Sequence, residues 1–212
     1  NIVITNKVVE STSQKSFFSY DKNGEQHYDI ISAFIKSIRG SDPNAAIYWL
    51  ARMIECGENP SFIARRLIIS ASEDIGLANP NALLIANNCF QAVKVVGWPE
   101  ARIILSQCTI YLACSEKGNT SYKAINKAQK IVQETGKLSV PITLRNAPTK
   151  LMKELGYGKE YKYSHDFPQN FVDQEFMPEE IKGINFIISG SSNREKKITE
   201  EIKKKWGKKY IK

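Results

Sequence analysis

Residues 40–76 read GSDPNAAIYWLARMIECGENPSFIARRLIISASEDIG, and the punctuation of this stretch decides the fold. Asp42-Pro43 and Asn59-Pro60 each place a side-chain oxygen at an N-cap and a proline at the first helical position, where its missing N–H costs nothing. Asn79-Pro80 repeats the device just beyond. Gly40, Gly57, Gly76 and Gly97 fall where the periodic runs stop, as residues able to take a left-handed C-terminal cap. Between these marks the apolar residues recur at three and four: Ile30, Ile31, Phe34, Ile35 and Ile38, then Ile47, Leu50, Ala51 and Ile54, then Phe62, Ile63, Leu67, Ile68 and Ala71. Each run is an amphipathic helix.

Outward from this stretch the same grammar continues. The segments 80–96 and 99–114 are so apolar, with Leu83, Leu84 and Ile85 in one and Ile103, Ile104, Leu105, Ile110 and Leu112 in the other, that they are expected to form the core. A sixth helix is expected over 120–134. Helices joined by such short turns make an array, so the middle of the chain reads as all-α. The ends differ. Residues 1–28 show no sustained helical period. After Gly136 come Val140-Pro141, a short helix expected over 147–155, and the aromatic loop GYGKEYKYSHD at 156–166. Ser192-Asn193-Arg194-Glu195 has the form of a capping box, followed by Ile198, Ile202 and Trp206 on one face of a last helix.

Composition narrows the chemistry. The 212 residues carry 30 Lys or Arg against 22 Asp or Glu, a net charge of +8 that suits an anionic partner. Most of the excess lies in residues 193–212, where nine Lys or Arg face three Glu. No apolar run is long enough to span a bilayer and no leader is visible, which points to a soluble protein with no membrane partner. The first residue is not Met, so the chain is expected to be cut from something longer. Cys56, Cys89, Cys108 and Cys114 sit in apolar, helix-like stretches and never as CxxC, as buried thiols of a reducing cytoplasm would. His27 and His165 are isolated, and no metal site is expected.

No G-x-x-x-x-G-K-[ST] phosphate loop and no G-x-S-x-G elbow occurs, so no nucleotide-binding or catalytic residue is assigned. Glu73-Asp74 is the one adjacent carboxylate pair in the helical middle worth weighing, but neighbours on a helix point about 100° apart and do not converge on one substrate. The candidates for contact with DNA or a neighbouring subunit are Arg39, Arg65, Arg66, Lys150, Lys153, Lys203, Lys204 and Lys205. The competing reading pairs the arginines with Glu73, Asp74 or helix-end carbonyls inside one fold. Tyr157, Tyr161 and Tyr163, alternating with Lys159 and Lys162, either anchor their loop or offer a stacking surface to single strands.

These motifs carry a resemblance. YDIISA at 28–33, KSIRGSDP at 36–43, AAIYWLARM at 45–53, ARRL at 64–67, SEDIG at 72–76 and LRNAPTKLMK at 144–153, running into GYG at 156–158, resemble the C-terminal half of the replication-associated recombination protein A family. This family is also called MgsA or RarA, and its eukaryotic relatives are the Werner-helicase-interacting ATPases. The spacing holds over about 20–180, with two departures: SEKGN at 115–119 replaces the family's Pro-Lys-Ser-Asn, and the last thirty residues match loosely.

The resemblance implies a AAA+ ATPase related to clamp loaders, with ATP and Mg held in an N-terminal module outside this chain. Residues 1–25 would end the AAA+ lid, 26–190 would be a clamp-loader-collar-like helical oligomerisation domain with an irregular, aromatic-rich extension, and 191–212 a basic tail. The implied partners are further copies of the chain as a homotetramer, DNA at stalled replication forks, and single-strand-binding protein. The alternative within the same family is a module whose main task is to bind DNA.

Overall fold

A computed structural model describes residues 25–188 and 190–210; the expectation for residues 1–25 as a lid remnant lies almost wholly outside them. The described residues are helical, with no strand among them, as the apolar spacing required. They divide into two compact units, one of residues 25–122 with 190–194, the other of 123–188 with 195–210.

In the first unit α1 (Glu25–Arg39) buries Ile30, Ile31, Phe34 and Ile38, and the last two are fully enclosed. It stops at a turn in which the N–H of Asp42 donates to the Ser37 carbonyl. Ser41, not Gly40, takes the left-handed conformation there, at φ 61°. The Asp42 carboxylate then accepts from the Ala45 N–H at 2.9 Å and opens α2 (Pro43–Glu55). Asn59 does the same for α3 (Pro60–Ser70), accepting from Ser61 and Phe62. Such caps satisfy donors that a helix start otherwise leaves empty, each contributing about 1 kcal/mol.

After Ser70 the helix widens into a π turn over Ala71–Ile75 and tightens into a 3-10 turn over Gly76–Ala78. Gly76 sits at φ 47° and ψ −125°, and a Cβ there would lie 3.2 Å from the Gly118 carbonyl. Both conditions favour glycine. At Asn79 the structure departs from the expected cap. Its amide donates to the Tyr111 hydroxyl at 3.0 Å and the Ser115 hydroxyl at 3.2 Å instead, and α4 (Asn81–Val96) begins without a side-chain cap.

α4 packs through Ala82, Ala86, Cys89 and Val93, and α5 (Ala101–Cys114) through Ala101, Leu105, Cys108 and Leu112. Both sets follow the i, i+4, i+7, i+11 spacing of a single helix face. α5 touches α1, α2, α3 and α4 and so forms the hub of this unit. Three of the four cysteines are at least partly buried, as expected, whereas Cys114 is exposed, because it lies on the opposite face of α5 from Leu105 and Leu112. The neighbouring Cys89 thiol, together with burial, pushes the Cys108 thiol up.

The turn after α5 holds SEKGN at 115–119. Lys117 Nζ donates to the carbonyls of Leu112, Ala113 and Ser115 at 3.1, 2.8 and 2.7 Å, closing the end of α5, while the Gly118 N–H donates to the Asp74 carbonyl. Burial pushes the Lys117 ammonium below the usual lysine range. Lys117→Met keeps the stem and removes the three bonds, and a urea melt should register a loss of about 1–2 kcal/mol. An unchanged midpoint would show that water replaces Lys117 freely.

In the second unit α6 (Thr120–Thr135) is followed by irregular chain with short 3-10 turns, then α7 (Lys150–Glu154) and α8 (Asn193–Tyr210). α7 starts three residues later than the spacing suggested, because Thr149 is its cap and accepts from the Met152 N–H. The segment 144–158 folds on itself. Arg145 donates from Nε to the Val140 carbonyl at 2.8 Å and from Nη1 to the Tyr157 hydroxyl at 3.3 Å, with its guanidinium 5.2 Å from the Tyr157 ring centre. A Cβ on Gly158 would meet the Arg145 carbonyl at 3.1 Å. The terminal segment is a helix whose Trp206 packs edge-on against Phe171 at 4.9 Å.

Candidate functional site

Three surface features bear on function, and each grows from residues named above. The first is the outer side of α4 and α5. With one face of α5 spent on the hub, the opposite face presents Ile103, Gln107, Ile110 and Cys114 at helical spacing, with Ile103 61% and Ile110 44% exposed. On α4 the corresponding stripe is Leu84, Asn88, Gln91 and Val95, apolar at its ends and polar between. Both helices therefore leave apolar side chains in water as well as in the core, α4 also through Leu83 and Val96.

The second feature is a charged knot between α1 and the π turn. Arg39 donates through Nε to the Asp74 carboxylate and lies 3.2 Å from Glu73 through Nη2. Asp74 is buried, and its other oxygen accepts from the Ser70 hydroxyl at 2.9 Å. Hydrogen bonding to Asp74 outweighs burial and raises the Arg39 guanidinium further above its ordinary value. The two carboxylates, in the π turn, meet on Arg39, as the reading that paired the arginines with Glu73 or Asp74 had it. They converge on an arginine and not on a substrate.

The other candidate arginines, Arg65 and Arg66, both lie over the Phe62 ring, at 5.8 and 5.0 Å, with Arg65 exposed. The third feature belongs to the second unit. Lys203, Lys204 and Lys205 line a cavity of about 800 Å³ together with Phe171 and Trp206, and Lys153 lines another of about 580 Å³ with Arg145, Tyr157 and Tyr161. Lys150 is exposed at the start of α7. Sequence reasoning passed over Arg145 and Lys117. Arg145 lay inside a motif already singled out, but nothing local marks a side chain that bonds twelve residues ahead.

Lys209 is held by Glu175 at 2.7 Å within the aromatic set of Phe176, Trp206 and Tyr210. Burial pushes the Glu175 carboxyl up, but the bond from Lys209 and the N–H groups of Met177 and Phe176 outweigh it and leave the carboxyl below its usual range. Among the described residues no group of three His, Cys, Asp or Glu gathers. No helix among them is long and apolar enough to cross a membrane.

Comparison with known proteins follows the same outline. Residues 1–39 match the AAA C-terminal domain family, and residues 40–206 match the family described as MgsA AAA+ ATPase C terminal. The replication-associated recombination protein A of Coxiella burnetii is 41% identical over 94% of this chain and 46% of its own length. That of Bacillus subtilis is 47% identical over 85% of this chain and 43% of its own length. The ATPase WRNIP1 of Dictyostelium discoideum is 45% identical over 88% of this chain and 22% of its own length. The chain thus spans less than half of each of these relatives. With its all-helical fold and a family match running from the first turn after α1 well into α8, this chain belongs to the MgsA AAA+ ATPase C-terminal family.

Proposed function

We propose that this chain is the assembly part of a AAA+ ATPase, joining four copies so that their ATPase modules act together on DNA at stalled replication forks. The observation that carries the reading is the exposed Ile103 and Ile110 stripe on α5, the helix that also organises the unit behind it. Apolar stripes at helical spacing on a rigid hub are costly to leave in water and suit a closed homo-oligomer. Four copies is what the resemblance implies. ATP and Mg belong, on this reading, to the part of the relatives that the chain does not span, and the chain alone hydrolyses nothing. The proposed setting is the cytoplasm, with single-strand-binding protein as a further partner.

Light scattering on the pure chain tests the assembly. The expected mass is four times 24.0 kDa, without nucleotide and unchanged from low to high salt, since an apolar interface survives screening. A uniform mass of 24.0 kDa from micromolar concentration upward would remove the assembly reading.

A further inference from the structure

The two cavities of the second unit are neighbours and share one chemistry. Phe176 lines the smaller, Glu175 lines the larger, and Lys209 of the larger reaches to 5.9 Å over the Phe176 ring. The smaller is lined by Arg145 and Lys153 and by no carboxylate. The larger has six lysines against Asp173 and Glu175; Lys209 is paired with Glu175 and Lys182 with Glu179, which leaves Lys203, Lys204, Lys205 and Lys208 against Asp173. Both are therefore cationic. The smaller also carries two exposed rings, Tyr161 at 45% and Phe176 at 41%, and Phe176 is backed by Trp206 at 6.1 Å, itself wedged against Phe171.

Flat exposed rings beside an excess of cations match a polymer that carries a phosphate and a free base face in each repeat. A duplex hides its base faces in the stack, and an acidic peptide has charge without planar faces. We propose that this surface binds single-stranded DNA, with bases stacked on Tyr161 and Phe176 and phosphates held by Arg145, Lys153 and the lysines of α8. The preference for DNA over RNA rests on the function proposed above; the preference for a single strand rests on the surface alone.

Fluorescence anisotropy with a labelled oligothymidine, repeated across a salt series, reads the proposal on the whole 212-residue chain. The parent should bind with a steep salt dependence. Tyr161→Ala and Phe176→Ala should each weaken binding about 5- to 100-fold, as loss of one stacked base does, while Tyr161→Phe keeps the parent affinity. Lys153→Ala should lower the salt slope by about one. Tyr161 and Lys153 are exposed, so these two variants stay informative even if Phe176→Ala fails to fold. Parent-like binding by Tyr161→Ala and Lys153→Ala, or equal competition by duplex DNA or polyglutamate, would overturn the surface. Tighter binding of an RNA strand of the same sequence would overturn the assignment to DNA. Light scattering on the same samples keeps the readings apart, since a lost tetramer with strand binding intact counts against assembly only.

Discussion

Replacing Ile103 and Ile110 together by glutamate should collapse the assembled particle to single chains of 24.0 kDa while leaving helix content unchanged. Both side chains face water within one chain, at 61% and 44% exposure, so the charges cost the isolated subunit little. In a closed assembly each substitution is repeated in every copy, and a carboxylate forced into an apolar interface without a partner costs several kcal/mol. A handful of such terms exceeds what separates micromolar from nanomolar association. Leu151→Glu is the control: this residue of α7 is 64% exposed and carries no role in the proposed interface. If the Leu151 variant dissociates and the isoleucine pair does not, the interface lies in the other unit.

Arg39→Ala should destabilise the chain by about 2–3 kcal/mol, more than Asp74→Ala at about 1–2 kcal/mol, because the two partners are unequally buried. The Arg39 side chain is half exposed and can return to water when its partner is lost. The Asp74 carboxylate is almost enclosed and would keep only the Ser70 hydroxyl. Glu73→Ala removes a half-exposed contact and should cost less than about 1 kcal/mol. Urea melts of the three variants and of the Arg39/Asp74 double variant settle the order. An Asp74→Ala cost equal to or above that of Arg39→Ala would mean that burial is not what sets the scale.

Much of this was readable in the chain before any coordinates. Asp42-Pro43 and Asn59-Pro60 act as written, because a cap is a local device: one oxygen reaches an N–H two or three residues on. Asn79 failed by the same logic. Its neighbours allow a cap, but Tyr111 and Ser115, more than thirty residues later, offer its amide donors a better use. The π turn left no periodic signal, so the meeting of Glu73 and Asp74 on Arg39 could be entertained only as one pairing among several. In the second unit the chain lacks sustained periodicity outside α6 and α8, and the contacts of Arg145, Gln174 and Lys209 are chosen by tertiary geometry. The eight candidate contact residues divide accordingly. Arg39 is engaged in the knot, Arg65 and Arg66 lie over Phe62, and four of the five lysines line the two cationic cavities.

The position of α5 as the hub has a consequence for synthesis on the ribosome. A nascent chain that has emerged only through α4 holds Phe34, Ile38, Met53, Ile63 and Leu67 without the helix that covers them. Domains fold as units once their chain is out, and exposed apolar surface in the interval invites aggregation. Completion of the first unit must therefore wait for Leu105 and Leu112 to clear the exit tunnel. A message truncated within α5 would release a product that chaperones hold and proteases clear, whereas one truncated after Gly118 would release every residue of the apolar core.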